Sequence, residues 1–282
     1  MNRISSLQNP RVKNVVRLRQ RPQRDAQQLT VVEGVREAGR ALSSHVRPVE
    51  AYLCPPLIAG AEGTAVAQQL RRLAAKGQTR LYEVTPAVFA KMAYREQSGG
   101  ILILIPYVTR PLRHIPLSPN PLLVIVEEGE KPGNLGAILR TADAAGVDGV
   151  ILSQGKTGQG TDVHNPNCIR ASLGALFSVP TATAPADEII TWLRRQHIHA
   201  VITTPEAAQV YTSANLSGPV ALVMGSEARG LSNIWFKNAD VQISIPMRGV
   251  VDSLNLSVAT AVILYEIIRQ REIQAVSSPA SV

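Results

Sequence analysis

KPGNLGAILRTADAAG, residues Lys131 to Gly146, follows the apolar run Leu122 to Val126, and together they decide the fold. An uninterrupted run of large aliphatic residues of this length reads as a parallel strand buried on both faces. The period then changes. From Asn134 to Ala145, Leu135, Ile138, Leu139 and Ala142 recur at helical spacing and leave Arg140 on another face. A strand, a polar exit loop from Glu127 to Gly133 and a helix are the repeating unit of an α/β sheet. Two further segments end apolar runs in the same way: LVMGSEARGLS, Leu222 to Ser232, and ISIPMRGVVDSLNLSVAT, Ile243 to Thr260. Three strand exits with polar, glycine-containing turns gather a ligand site at the carboxyl side of an open sheet.

In this order and at these spacings the segments resemble the three motifs of the SpoU (TrmH-like) RNA ribose methyltransferases of the SPOUT superfamily, over roughly Leu122 to Ile268. Asn134, Arg140, Glu227, Ser253 and Asn255 stand where those motifs expect polar groups. The resemblance implies an α/β fold: a SPOUT-type domain with a mostly parallel sheet and a deep trefoil knot, a very rare threading, preceded by a smaller α/β RNA-binding domain. It implies an S-adenosylmethionine-dependent 2′-O-ribose methyltransferase of structured RNA that works as a homodimer. Main-chain groups around Met224, Gly225, Ile245, Met247 and Leu254 would bind the cofactor, with Thr203 at its edge. Gly225 suits close approach of a ligand, or is a plain turn glycine.

Family accounts make Arg140 a general base for the 2′-hydroxyl. A guanidinium stays protonated under ordinary conditions, so a clamp on the neighbouring phosphate that stabilises the developing alkoxide is the favoured reading. Asn134 would orient ribose or phosphate, Glu227 would orient Arg140 through a charge-assisted hydrogen bond, and Ser253 and Asn255 would complete the polar rim. Each alone reads equally well as a cap or an ion-pair member. The resemblance also places Arg170 near the RNA, the alternative being a capping or locally paired arginine.

Residues 1–108 read as a smaller domain in which strands alternate with helices. Strands fit Leu29 to Val32, Val49 to Leu53, Leu81 to Val84 and Ile101 to Pro106, with helices at Val35 to Leu42, Thr64 to Lys76 and Pro86 to Ala93. VVEGVREAGRAL, Val31 to Leu42, resembles the start of the ribosomal-protein-like substrate-binding domain that precedes many SpoU catalytic domains. Asn9-Pro10 opens a helix. Arg11, Lys13 and Arg17, with Arg19 and Arg21, surround an apolar stripe of Val12, Val15, Val16 and Leu18, which suits either an RNA-contacting helix or a solvated amphipathic one. Tyr94 to Gly100 is a glycine turn or an RNA-facing loop.

RPLRHIPLSPNP, Arg110 to Pro121, holds four prolines and no periodicity, and predicts an extended linker. The expected division is 1–108, a linker at 109–120, a methyltransferase domain at 121–275 and a frayed tail at 276–282. Within the second domain, strands fit Val150 to Leu152, Ala200 to Thr203, Val220 to Met224 and Val241 to Ile245. Helices fit Asn167 to Leu176, Ala186 to Gln196 and Leu254 to Arg269, the last with Leu254, Val258, Ala261, Val262, Tyr265 and Ile268 on one face. SQGKTGQGTD, Ser153 to Asp162, fails as a phosphate loop because the glycine required five residues before Gly155 is Val150.

Composition agrees. The 282 residues, 45% hydrophobic and 18% charged, suffice for two packed domains. A net charge of +8 and a pI near 9.9 favour an anionic partner such as nucleic acid. Aromatics at 4% make base stacking a limited resource, so recognition should lean on phosphates and shape. Cys54 and Cys168 lack metal-ligand spacing and read as reduced thiols, and no histidine falls in a ligand pattern, so no metal is expected. Neither a signal-peptide core nor an apolar run of about 18 residues is seen, which predicts a cytoplasmic protein without a membrane partner. Ribosomal RNA is the preferred substrate, including the large-subunit and antibiotic-resistance types. The alternatives are a tRNA 2′-O-methyltransferase and a catalytically silent RNA-binding or ribosome-assembly protein of the same fold.

Overall fold

The computed structural model describes residues 2–95, 99–127, 131–154, 161–227 and 229–277. The turn at Tyr94 to Gly100, the exit loop at Glu127 to Gly133, the stretch Ser153 to Asp162 and the tail therefore lie partly or wholly outside the described residues. In chain order the first elements are β1 (Asn2–Ile4), α1 (Pro10–Arg17), α2 (Arg21–Gln27), β2 (Leu29–Glu33), α3 (Val35–Ser43) and β3 (Glu50–Leu53). Then come α4 (Gly60–Ala75), β4 (Arg80–Val84), α5 (Pro86–Met92), β5 (Ile101–Pro106), β6 (Leu122–Glu127), α6 (Pro132–Ala145) and β7 (Gly149–Gln154). The chain continues through α7 (Pro166–Ala171), β8 (Thr181–Pro185), α8 (Ala186–Arg195), β9 (His199–Thr203) and β10 (Val220–Met224). It ends with α9 (Asn233–Asn238), β11 (Val241–Ile243) and α10 (Leu256–Ser277). The chain forms two compact units, residues 1–108 with 162–178, and residues 109–161 with 179–282.

In the first unit the sheet order is β1-β4-β3-β5-β2. β1 and β3 run parallel to β4, while β5 is antiparallel to both β3 and β2. Helix α1 begins as its sequence dictates: the Asn9 side chain accepts the Arg11 N–H at 2.9 Å, and Pro10 fills the first helical position. Its stripe of Val12, Val15 and Leu18 is buried against Tyr52, Tyr82 and Phe89.

Residues 162–178, expected with the second domain by chain order, pack in this unit. Thr30 donates to the His164 carbonyl at 2.6 Å, Arg40 donates to the Leu173 carbonyl at 2.8 Å, and the buried Arg24 pairs with Asp162. His164 stacks on Tyr107 with ring centroids 3.7 Å apart, and its Nε2 accepts the Val108 N–H at 3.0 Å. The expected helix Asn167 to Leu176 stops at Ala171, because Leu173 and Gly174 both take positive φ before a short 3-10 turn at Ala175–Phe177.

In the second unit the sheet order is β11-β9-β10-β6-β7-β8, with each of these neighbouring pairs parallel. β6 is buried along its whole length, as its continuous apolar run predicts. α6 buries Leu135, Ile138, Leu139 and Ala142 and leaves Arg140 exposed. The proline-rich stretch is not a free tether: Leu112 and Ile115 are buried in this unit's core and the Arg110 N–H donates to the Thr181 carbonyl at 2.8 Å. On α10 the apolar face read from the sequence is not the one buried within this chain. Leu256, Ala259, Ile263, Leu264 and Ile267 are buried, whereas Val258 and Tyr265 are 48% and 52% exposed. The helix is apolar on more than one side, so spacing alone selects no face.

Candidate active site

The carboxyl ends of β9, β10 and β11 surround a cavity of about 680 Å³, within the range of small-molecule and cofactor sites. Thr203 and Met224 are the last residues of β9 and β10, and both line it. Gly225, Ile245, Met247 and Leu254 line it as well, so the six residues anticipated for the cofactor meet in one cavity. Leu231 and Phe236 add apolar wall, while Glu206, Glu227 and Asp252 supply carboxylates. Apolar walls with acidic rims suit a flat heteroaromatic group that also carries positive charge, as a sulfonium amino acid with adenine does.

Gly225 is required by the closed turn that it enters. A Cβ there would lie 2.4 Å from the Gly230 carbonyl carbon and 2.5 Å from the Leu231 nitrogen, so the two arms of the turn meet at contact distance. The Ser226 and Gly230 main chains exchange hydrogen bonds of 2.8 and 3.2 Å and close the intervening loop.

The three motif segments converge at the cavity edge. Asn134 Nδ2 donates to Glu227 Oε1 at 2.9 Å, Asn255 Nδ2 donates to the same oxygen at 2.8 Å, and Asn255 Nδ2 also reaches Asn134 Oδ1 at 3.1 Å. Asn255 Oδ1 in turn accepts from the Ser257 N–H and hydroxyl at 3.1 and 2.7 Å and caps α10. Lys131 Nζ stands 3.5 Å from Glu227. Donation by Asn134, with the Lys131 cation, holds the Glu227 carboxyl below the usual carboxylate range. Ser253 lines the cavity and donates weakly to Asp252 at 3.3 Å.

Arg140 is not part of this cluster. It lies on the exposed side of α6, does not line the cavity, and has no side-chain hydrogen bond or ion pair among the described residues. The expected Glu227–Arg140 bond is thus replaced by the bonds from the two asparagines. Glu206, which sequence reading missed, is held below the usual carboxylate range by the Thr204 hydroxyl. An acid three residues past a strand end was the only available signal.

In the first unit, Arg11 is taken up by the fold, 2.5 Å from Glu50 and 4.7 Å above the Tyr82 ring. Arg19 donates to the carbonyl of Ala93 at 2.8 Å and covers Tyr94. Lys13 and Arg17 remain exposed, and Arg170 on α7 is half-buried. Among the described residues no cluster of His, Cys, Asp or Glu could hold a metal, and no helix is long and apolar enough to cross a membrane.

The sequence profile of an MRM3-like substrate binding domain matches residues 9–102. A curated relative, the 23S rRNA (guanosine-2′-O-)-methyltransferase RlmB of Haemophilus influenzae, is 42% identical over 154 residues, 54% of this chain and 61% of its own. The 23S rRNA (uridine(2479)-2′-O)-methyltransferase of Streptomyces viridochromogenes is 36% identical over 57% of this chain and 56% of its own. The chain therefore spans about three fifths of the length of these relatives. Among solved structures, an AdoMet-bound rRNA methyltransferase from Sinorhizobium meliloti superposes with a TM-score of 0.84 at 31% identity, covering 95% of this chain and 97% of that one. An RNA 2′-O ribose methyltransferase superposes with a TM-score of 0.80 at 38% identity, covering 96% and 99%. With the profile of the SpoU rRNA Methylase family matching residues 121–265, the chain belongs to that family.

Proposed function

We propose that the protein is an S-adenosylmethionine-dependent 2′-O-ribose methyltransferase of ribosomal RNA. The observation that carries this reading is the meeting of Asn134, Glu227 and Asn255, one from each motif segment, beside a cavity lined by the anticipated cofactor residues. Ribosomal RNA is preferred because the relatives that match are named for it.

When bound, the cofactor supplies a methyl group for displacement onto the ribose 2′-oxygen. Met224, Leu231, Phe236 and Leu254 would enclose its adenine, and Glu206 and Glu227 would face its positive charge. Asn134 and Asn255 fix the Glu227 carboxylate, so this part of the site is organised before substrate arrives. The exposed Arg140 guanidinium is left to take a substrate phosphate and to stabilise the developing alkoxide as the 2′-hydroxyl proton passes to solvent water. Lys13, Arg17 and Arg170 would add phosphate contacts, and Arg11 would add less because Glu50 already holds it.

The reading includes a homodimer. Val258, Tyr265 and Ile273 leave an apolar strip of α10 exposed, which a second copy of the same helix would bury. It also includes a deep trefoil knot formed by the three motif segments, a cytoplasmic location and metal-free chemistry.

The test uses radiolabelled S-adenosylmethionine with unmodified ribosomal and transfer RNA. Label in an alkali-resistant dinucleotide from ribosomal RNA is expected; label confined to transfer RNA would overturn the substrate, and no label with no cofactor binding would overturn the activity. Arg140→Ala should abolish transfer while leaving cofactor affinity unchanged, and unaltered turnover would sink its assigned role.

A further inference from the structure

We propose that Glu127 is a positioning residue that holds one wall of the cofactor cavity, an inference that rests on the cofactor reading above. Glu127 is the last residue of β6, 4% exposed, and does not itself line the cavity. Its Oε1 accepts from the Ser232 hydroxyl at 2.7 Å and from Trp235 Nε1 at 3.0 Å, and its Oε2 accepts from the Ser232 N–H at 2.7 Å. A buried carboxylate is tolerated only when such donors replace its water, and all three come from a segment 105 to 108 residues away.

That segment brackets the cavity. Gly230 and Leu231 precede Ser232, Phe236 follows Trp235, and these three residues form wall. Trp235 is wholly buried and cannot swing. On the other side of Ser232, the Gly230–Leu231 backbone already presses on Gly225 too closely to admit a Cβ. With both flanks pinned, the bonds to Ser232 and Trp235 set where Leu231 and Phe236 stand.

The pattern calls for a carboxylate and not an amide. In Glu127→Gln one oxygen becomes an NH₂ group. Turned toward the Ser232 N–H it opposes a donor; turned the other way it can donate to the Ser232 hydroxyl but opposes the Trp235 N–H. Removing the indole donor relieves the second arrangement. Glu127→Gln/Trp235→Phe should therefore recover what Glu127→Gln alone loses.

The experiment is calorimetric titration of the full chain with S-adenosylmethionine, alongside melting temperatures for each variant. Glu127→Gln is expected to raise the Kd about tenfold, one charge-assisted bond's worth, and the added Trp235→Phe to bring it back to within about threefold of wild type. A Kd within about twofold of wild type for Glu127→Gln, with a lowered melting temperature, would mean a purely structural role and overturn the proposal. So would a double variant no better than the single one. If Glu127→Gln does not fold, Ser232→Ala keeps the main-chain bond and loses the hydroxyl bond; it should raise the Kd about threefold, and an unchanged Kd overturns the proposal. No binding by the wild-type protein removes the cofactor reading itself.

Discussion

Gly225→Ala should separate a cavity built by a tightly closed turn from one built by a flexible turn. The added methyl would sit 2.4 to 2.7 Å from three backbone atoms of Gly230 and Leu231. Carbon pairs rest at about 3.5–4.0 Å, so the two arms of the turn must part by roughly 1 Å. No rotamer can relieve the clash, because the opposing atoms are main chain. Overpacking of this kind costs about 1–3 kcal/mol. Strain retained in the fold lowers the melting temperature by about 2–12 °C. Strain relieved by displacing the Gly230–Leu231 wall appears instead as a Kd for S-adenosylmethionine raised about 5- to 150-fold. Titration calorimetry and scanning calorimetry on the same samples read both. Gly249 provides the control, since a Cβ there meets nothing within 4 Å. A Gly225→Ala protein with wild-type affinity and wild-type melting temperature would refute the closed turn as the reason for glycine.

Two further outcomes are expected. Burial, aided by the Arg24 cation, pushes the His164 imidazole down to about 3, whereas an unfolded histidine titrates near 6.5. The unfolded chain therefore takes up a proton that the native chain refuses. The stabilisation is complete above about pH 6.5 and is lost as pH falls toward 3, by up to about 1.4 kcal/mol per pH unit. Urea unfolding between pH 7 and pH 4 should show this slope, His164→Gln should reduce it, and equal slopes would refute the assignment. Val258→Asp with Tyr265→Asp places charge on the uncovered strip of α10 and should give a monomer in sedimentation, while a persistent dimer would rule that strip out as the interface.

Most of the fold was legible because its signals are local. The apolar run of β6, the helical spacing of α6 and the Asn9-Pro10 start of α1 each reappear where they were read. What escaped was short or chemically bland. β1 has three residues, β8 is a run of threonine and alanine, and α2 is almost wholly polar, so none carries a hydrophobic period. Motif spacing named Asn134, Glu227 and Asn255, and the structure joins the three by hydrogen bonds. The bond expected between Glu227 and Arg140 failed because motif spacing assigns residues to a region of the fold and not to a hydrogen-bond partner. Glu127 could not be found at all, since its partners lie more than a hundred residues along the chain.

The placement of Asp162–Ser178 within the first unit has a consequence for synthesis. During translation residues 1–108 emerge well before this segment does. Until it arrives, the Arg24 cation lacks Asp162 and the Val108 N–H lacks the His164 acceptor. The nascent first unit therefore holds an uncompensated charge at a core position and completes its folding only after β6, α6 and β7 have been made. For the same reason the first unit cannot be moved to another protein as one uninterrupted piece: a transplant cut at Val108 would leave its last strap behind.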